Sequence, residues 1–158
     1  MKIGIIGIGN IGGSIARKLK AAGHEIRVAN SRGPESVRRF ADEIGATAAD
    51  VNGAVDGVDV IFLSIPLPAI AELPNGLLKA VPEDVLVVDT SNYYPGMRDP
   101  RIPEIDQGMP ESIWVSRQLG RPVIKGCRRD QVLSGFFRRG AIDAGVPAAM
   151  APLRLARK

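Results

Sequence analysis

Apolar runs and amphipathic stretches alternate along the first 125 residues of the chain. The runs at residues 58–65 and 85–89 are largely apolar, which is typical of strands covered on both faces. Between residues 11 and 22, isoleucine and leucine recur at a spacing of four, the period of one helix face. The whole pattern predicts strands at residues 2–7, 25–30, 46–48, 58–65, 85–89 and 122–125, and helices at 11–22, 34–44, from 50, and 112–119.

Helices that separate successive strands predict right-handed crossovers, and hence an α/β fold with a doubly wound parallel sheet. This is the Rossmann-type architecture. We expect it to occupy residues 1–125 as one domain. Residues 126–158 differ in composition, since 18 of these 33 residues are Arg, Ala, Gly or Pro. We expect them to form an atypical basic tail, either helical or disordered.

A glycine-rich run follows the first predicted strand directly and opens the first predicted helix. Gly7 permits a tight turn, Gly9 leaves room for a pyrophosphate, and Gly12 lets helix and strand approach each other. The backbone N–H groups and the positive helix end then face the phosphates. A structural glycine turn without a ligand is the alternative. The predicted pyrophosphate-binding residues are Gly7, Ile8, Gly9, Asn10, Ile11 and Gly12.

The end of the second predicted strand indicates which dinucleotide is bound. Domains specific for NAD place Asp or Glu there to bind the ribose 2′-hydroxyl. This chain has Asn30, Ser31 and Arg32 instead, so no carboxylate repels a 2′-phosphate, and Arg32 offers a fork of donors suited to one. NADP(H) is therefore favoured. Arg38 and Arg39 could add charge, although a solvated helix face is the simpler role for both.

Two further loops follow predicted strands and should border the nicotinamide, because ligands bind outside the carboxyl ends of the strands. The first contains Ser64 and Pro66 and offers a rigid wall. The second, residues 89–95, offers hydrogen-bonding groups that include Asn92, together with two tyrosines. Turn-forming residues and core tyrosines explain the second loop about equally well.

Composition excludes several classes of function. Residues 1–120 carry 12 basic against 15 acidic residues, so the net charge of +4 arises wholly in the last quarter of the chain. With 4% aromatic residues and no nucleic-acid-binding motif, we expect no nucleic-acid site. No apolar run is long enough to span a membrane, and no leader peptide is evident. A single cysteine, Cys127, argues against a clustered metal site and favours a cytoplasmic setting.

No catalytic residue can be assigned. His24 is expected to be exposed and inert, Asp89 to be structural, and Cys127 gives no sign of activation. Hydride transfer needs no protein nucleophile, because the cofactor carries the reaction and the protein fixes its distance and orientation. A small-molecule acceptor such as a flavin or deazaflavin ring also needs no dedicated proton donor.

The segment KIGIIGIGNIGGSIARKLKAAGHEIRVANSRGPE, with IFLSIP and VVDTSNYY further on, resembles the deazaflavin (coenzyme F420)-dependent NADP reductases over about residues 1–125. The resemblance implies that residues 7 and 9–12 hold the pyrophosphate and that Ser31 and Arg32 hold the 2′-phosphate. It further implies hydride exchange between NADPH and a deazaflavin, flavin or related acceptor. After Lys125 the chain departs from the family, whose members usually continue with a Phe-Asn segment.

The departure leaves two functions open. The first is an NADPH-dependent oxidoreductase, whose acceptor site a second subunit of a homodimer would complete. The second is a non-catalytic or truncated NADP(H)-binding module. A frameshift in a GC-rich gene would produce such a tail, and a natural short variant with Asp130 capping a helix is the alternative. The shifted reading frame should encode a Phe-Asn continuation if the first explanation is right.

Overall fold

The structure, a computed structural model, describes residues 1–126. These residues form a six-stranded, all-parallel sheet with the strand order β3-β2-β1-β4-β5-β6. The strands are β1 (Lys2–Ile6), β2 (Glu25–Ala29), β3 (Thr47–Ala48), β4 (Val60–Leu63), β5 (Leu86–Asp89) and β6 (Ile124–Lys125). The helices are α1 (Asn10–Ala21), α2 (Glu35–Ile44), α3 (Val51–Val55), α4 (Pro103–Asp106) and α5 (Glu111–Leu119), and a 3-10 helix spans Leu67–Glu72.

Both faces of the sheet are covered, which confirms the doubly wound, Rossmann-type fold. Successive residues of a strand point to opposite faces. Ile5 therefore packs with Ala16 of α1 and Val37 of α2, whereas its neighbour Ile6 packs with Ala54 of α3 on the other side. The buried strands are apolar on both sides for this reason. The strand order reverses between β1 and β4, and this is the position where nucleotides bind in such sheets.

A third apolar cluster lies beside the sheet and fixes the loops that follow β4 and β5. Leu67 of the 3-10 helix, Tyr93 of the loop after β5, and Trp114 and Val115 of α5 are its buried members, together with Ile70 and Ile102. The loops at this edge of the sheet are thus attached to α5 through apolar packing rather than left free.

All six predicted strands are present, and the predicted helices are found within two residues of their expected ends. Gly45 ends α2 in the left-handed conformation, with φ of 70°, as its position after the periodic run predicts. The crossover from β4 to β5 was not resolved by the pattern, because Pro66, Pro68 and Pro74 interrupt it and only the short 3-10 helix forms there. Apart from Gly126, the predicted basic tail lies outside the described residues, as do Cys127 and Asp130.

Candidate nucleotide-binding site

The glycine-rich loop joins β1 to α1 with its backbone exposed at the helix start. Gly7 has φ of 98°, in the region that favours glycine, and its N–H donates to the carbonyl oxygen of Ala29 over 2.8 Å. Gly9 is the N-cap of α1 and offers no side-chain cap, and no acidic residue lies in the first turn. The N–H groups of this turn therefore remain available to an anion.

Gly9 and Gly12 have different surroundings, which separates their roles. A Cβ atom built on Gly9 meets nothing within 4 Å, so the position opens onto free space. A Cβ atom on Gly12 would lie 2.0 Å from the carbonyl oxygen of Gly7 and 2.9 Å from Cβ of Ser64. Gly12 is thus needed for the approach of α1 to the sheet, whereas the structure itself does not require glycine at position 9.

The other members of the loop differ in their exposure and contacts. Ile8 is half-buried and packs against the cluster beneath α1 and α2, so its side chain belongs to the core. Ile11 is half-buried as well. Asn10 is exposed, and its carbonyl oxygen accepts a hydrogen bond from the hydroxyl of Ser14 over 2.6 Å.

The turn after β2 holds two exposed side chains, Ser31 and Arg32. Because β2 lies beside β1 in the sheet, this turn follows the strand next to the one that leads into the glycine-rich loop. The Asn30 side-chain oxygen accepts hydrogen bonds from the Arg32 N–H over 2.8 Å and from the Ser36 hydroxyl over 2.7 Å. Asn30 therefore shapes the turn from within. Ser31 and Arg32 are exposed, and the Arg32 guanidinium forms no hydrogen bond or ion pair within residues 1–126.

The nearest carboxylate along the chain is already paired. Arg38 donates two hydrogen bonds to Glu35 at the start of α2, and this contact lowers the pKa of the Glu35 carboxyl. The pair is exposed and its charges cancel. Arg38 is thus engaged on the helix surface, in agreement with the simpler role predicted for it. Arg32 carries the positive charge of this turn that has no partner among residues 1–126.

Ser64 lies directly against the glycine-rich loop. Its N–H donates to the carbonyl oxygen of Ile6 over 2.8 Å, and a Cβ atom on Gly7 would approach the Ser64 carbonyl oxygen to 2.3 Å. The structure therefore brings together the loop after β1 and the loop after β4; that the second of these borders a nicotinamide stays a prediction. Pro66 is exposed and precedes the 3-10 helix.

The loop after β5 combines core residues with polar groups that lack partners. Tyr93 belongs to the core, since its hydroxyl donates to Asp106 over 3.2 Å and accepts from the N–H of Ile102 over 2.6 Å. Asn92 is buried and donates weakly to the carbonyl oxygen of Thr90. Of the two roles predicted for Tyr93, the structural one is found. The buried side-chain atoms without a hydrogen-bond partner in residues 1–126 are Ser91 Oγ and Asn92 Oδ1.

An arginine and an aspartate close the end of this loop. Asp99 is buried and accepts two hydrogen bonds from Arg98 and one from the N–H of Tyr94. Burial raises the pKa of the Asp99 carboxyl, but these hydrogen bonds outweigh that effect, so its pKa is lowered overall. Arg98 also donates to the carbonyl oxygen of Asn92 over 2.7 Å and lies over the Tyr94 ring.

A cluster of charges around the buried Asp89, at the ends of β5 and β6, was missed by the sequence analysis. Lys125 bridges Asp89, at 2.9 Å, and Glu111, at 3.0 Å. The role predicted for Asp89, structural rather than that of a base, agrees with this ion pair. The three residues lie on β5, α5 and β6, so no local pattern connects them. A lone lysine that closes an apolar strand is the single signal that could have identified the cluster.

Other predicted features bear less on the site. His24 is half-buried rather than exposed, although it lies in the turn between α1 and β2, where its N–H donates to the carbonyl oxygen of Leu19 over 3.1 Å. No group of three or more His, Cys, Asp or Glu side chains within residues 1–126 is arranged to hold a metal ion. In the same part of the chain, no helix has the length and apolar character needed to cross a membrane.

Comparison with known proteins identifies the family to which the chain belongs. Residues 2–93 match the model of the family described as NADP oxidoreductase, coenzyme F420-dependent, which is more than half of the chain. The chain belongs to this family. Membership supports NAD(P)-dependent oxidoreduction in general and implies a nicotinamide dinucleotide cofactor. The open space at Gly9 and the uncapped start of α1 fit such a cofactor.

Solved structures show the same fold. A hypothetical protein from Sinorhizobium meliloti, SMa0349, is 29% identical with a TM-score of 0.60, over 77% of this chain and 58% of that one. A 3-hydroxyisobutyrate dehydrogenase from Mycobacterium tuberculosis is 19% identical with a TM-score of 0.56, over 78% and 38%. An arogenate dehydrogenase from Synechocystis is 21% identical with a TM-score of 0.53, over 75% and 37%. The present chain thus spans between 37% and 58% of the length of these three proteins.

Proposed function

We propose that this chain binds NADP(H) and exchanges a hydride with a deazaflavin, a flavin or a similar small-molecule ring. Family membership supports oxidoreduction with a nicotinamide dinucleotide. The choice of NADP(H) and the class of acceptor are our proposals. A cytoplasmic setting stays our expectation, and it rests on the single cysteine.

The glycine-rich loop would hold the pyrophosphate. The uncapped N–H groups at the start of α1 and the positive end of the helix attract an anion, and Gly9 leaves room for its close approach. Residues 7–12 contribute backbone rather than side chains to this contact. The arrangement therefore suits both NAD(H) and NADP(H), which share the pyrophosphate, and it does not select between them.

The turn after β2 carries the selection, and it is the observation on which the proposal depends most. Ser31 and Arg32 are exposed where a carboxylate would bind the ribose of NAD, and the Arg32 guanidinium has no partner within residues 1–126. Asn30 holds the turn in shape without using either side chain. An unpaired guanidinium beside a hydroxyl suits a 2′-phosphate, which accepts charge-assisted hydrogen bonds from both.

The nicotinamide half would lie over the carboxyl ends of β4 and β5. When bound, the dinucleotide supplies the hydride itself, so the protein needs no nucleophile. The chain contributes a wall at Ser64 and Pro66 and a second wall at residues 90–94, both fixed by the apolar cluster around Tyr93. We propose that these walls orient the ring and exclude water. A second copy of the chain would cover the acceptor side, and light scattering of the purified protein tests for this homodimer.

The experiment is a fluorescence titration with NADPH and NADH, followed by addition of oxidised deazaflavin or flavin. We expect Arg32→Ala to weaken NADPH binding by about 1–3 kcal/mol, roughly ten- to hundredfold, and to leave NADH nearly unchanged. Arg117→Ala is the matched control, because Arg117 is exposed on α5 and its loss removes the same charge. Equal losses for both cofactors, or no loss, would show that Arg32 does not bind the 2′-phosphate.

Adding the acceptor separates an enzyme from a nucleotide-binding module. Oxidation of bound NADPH supports the reductase. It is measured as the loss of the absorbance band of the reduced nicotinamide. Tight binding without oxidation by any ring acceptor supports the non-catalytic module instead. Absence of binding to either dinucleotide would refute the proposal as a whole.

A further inference from the structure

Lys125 is a half-buried lysine whose three N–H donors all have acceptors. Its side chain is 19% exposed and lies between the carboxylates of Asp89 and Glu111, the first of which is fully buried. The ammonium also donates to the carbonyl oxygen of Ser91. A lysine has three N–H donors, so these three acceptors satisfy it fully and fix its position.

The three charged residues hold the backbone of one short segment, residues 91–93. Asp89 accepts a hydrogen bond from the N–H of Ser91 over 2.8 Å, while Lys125 binds the carbonyl oxygen of the same residue. Glu111 accepts from the N–H of Tyr93 over 3.4 Å. Side chains from β5, β6 and α5 thus set the conformation of a loop that has no secondary structure of its own.

This loop has unmet polar groups and lies where the fold places the nicotinamide half. Ser91 Oγ and Asn92 Oδ1 are buried without a partner. A buried polar atom without a partner destabilises the chain unless a ligand or an ordered water supplies one. Ser91 offers a hydroxyl that can donate, and Asn92, the next residue, offers an amide oxygen that accepts. These two groups suit the carbonyl and amino groups of a carboxamide, the polar substituent of the nicotinamide ring.

We propose that Lys125 is a positioning residue of the nicotinamide subsite, which keeps Ser91 and Asn92 in the conformation that receives the carboxamide. The inference rests on the proposed function, because it requires that a nicotinamide dinucleotide binds. Lys125 acts through the loop and does not touch the cofactor. Its loss should therefore affect the nicotinamide half of the ligand and spare the adenosine half, which binds at the glycine-rich loop and at Arg32.

The test compares NADPH with adenosine 2′,5′-bisphosphate, a fragment that lacks the nicotinamide. For Lys125→Met we expect NADPH to bind at least about tenfold more weakly, as small displacements of site residues cause, while the fragment's Kd changes less than about twofold. The fluorescence enhancement of bound NADPH, which reports on the ring's surroundings, should fall as well. Lys125→Arg should recover part of the affinity, because it keeps the charge and the donors. Lys79→Met removes an exposed lysine and serves as the control.

Lys125→Met leaves two carboxylates without their cation, so a second variant guards against a chain that fails to fold. Glu111→Gln keeps the pair between Asp89 and Lys125, and we expect the same selective loss of about threefold. Equal losses for NADPH and the fragment, or no loss for either, would overturn the inference and leave the proposed function standing. Failure of the unaltered chain to bind the fragment would instead refute the proposed NADP(H) site.

Discussion

Two glycines three residues apart, Gly9 and Gly12, allow binding and folding to be separated by substitution. Gly9 is the N-cap of α1, with φ of −66° and ψ of −165°, a conformation that any residue adopts, and open space surrounds its Cβ position. The Cβ atom of a valine at position 9 therefore meets no atom of the described residues. Its low preference for the N-cap and its smaller conformational freedom in the unfolded state have opposite effects on stability, each about 1 kcal/mol or less.

Nucleotide binding should respond differently to Gly9→Val. The added side chain occupies the space that a pyrophosphate needs beside the first turn of α1. Overpacking typically costs about 1–3 kcal/mol, so we expect roughly ten- to hundredfold weaker binding of both NADPH and NADH. The loss should be equal for the two dinucleotides, because they share the pyrophosphate. This equality distinguishes Gly9→Val from Arg32→Ala, which should affect NADPH alone.

Gly12→Ala should show the reverse pattern. The new Cβ atom lies 2.0 Å from the Gly7 carbonyl oxygen, whereas real Cβ atoms essentially never approach closer than 3.0 Å. The obstacle is backbone, so no change of rotamer relieves it and α1 must move. We expect a loss of about 1–3 kcal/mol in unfolding free energy, reduced by up to about 1 kcal/mol through alanine's higher helix propensity.

Urea unfolding and dinucleotide titration of both variants test this reasoning together. The expected result is a stable Gly9→Val chain that binds poorly and a clearly destabilised Gly12→Ala chain. Normal NADPH binding by Gly9→Val would show that the glycine-rich loop is not the nucleotide site. Unchanged stability of Gly12→Ala would show that the contact between α1 and the sheet is looser than the structure indicates.

Two further predictions concern the loops on either side of β5. Because the pKa of Asp99 is lowered in the folded chain, its ionised form stabilises the fold at neutral pH. This contribution declines as the pH falls below the unfolded value of about 4 and is lost below the lowered folded pKa. Asp99→Asn should therefore cost about 1–2 kcal/mol at pH 7 and progressively less as the pH is lowered below about 4, as measured by urea unfolding across that range; a difference independent of pH would contradict this. Arg121 donates to four carbonyl oxygens in residues 81–85, at the amino end of β5. Arg121→Met should lower the unfolding free energy by about 1–3 kcal/mol without changing the Kd for NADPH, and a changed Kd would contradict the separation of this loop from the site.

The positions of the two loops proposed to bind the nucleotide could be predicted because their information is local. Residues 7–12 lie in one continuous segment, and the turn at residues 30–32 follows one strand later. The spacing of glycines and the absence of a carboxylate are both visible in the sequence. Asn30 has a role that the sequence did not indicate. Its side-chain oxygen accepts two hydrogen bonds from within the turn, so that this oxygen shapes the turn.

The loop after β5 could not be resolved in the same way, because its roles depend on packing between distant segments. Tyr93 and Tyr94 are neighbours with the same side chain, yet Tyr93 is buried with Trp114 and Tyr94 is half-buried beneath Arg98. Nothing in their local sequence distinguishes them. The sequence alone could not choose between the two roles predicted for this loop, because packing against α5 determines which tyrosine enters the core.

The charged cluster around Lys125 illustrates why the nicotinamide side differs from the phosphate side. A pyrophosphate is bound by backbone N–H groups and a helix end, which a single βα unit supplies. Holding a loop without secondary structure requires side chains from several elements, and here they come from positions 89, 111 and 125. The strand order brings β5 beside β6, and the packing of α5 brings Glu111 to both. The loop proposed to receive the nicotinamide is thus built by long-range contacts. Substitution at Lys125 tests this loop independently of the phosphate contacts.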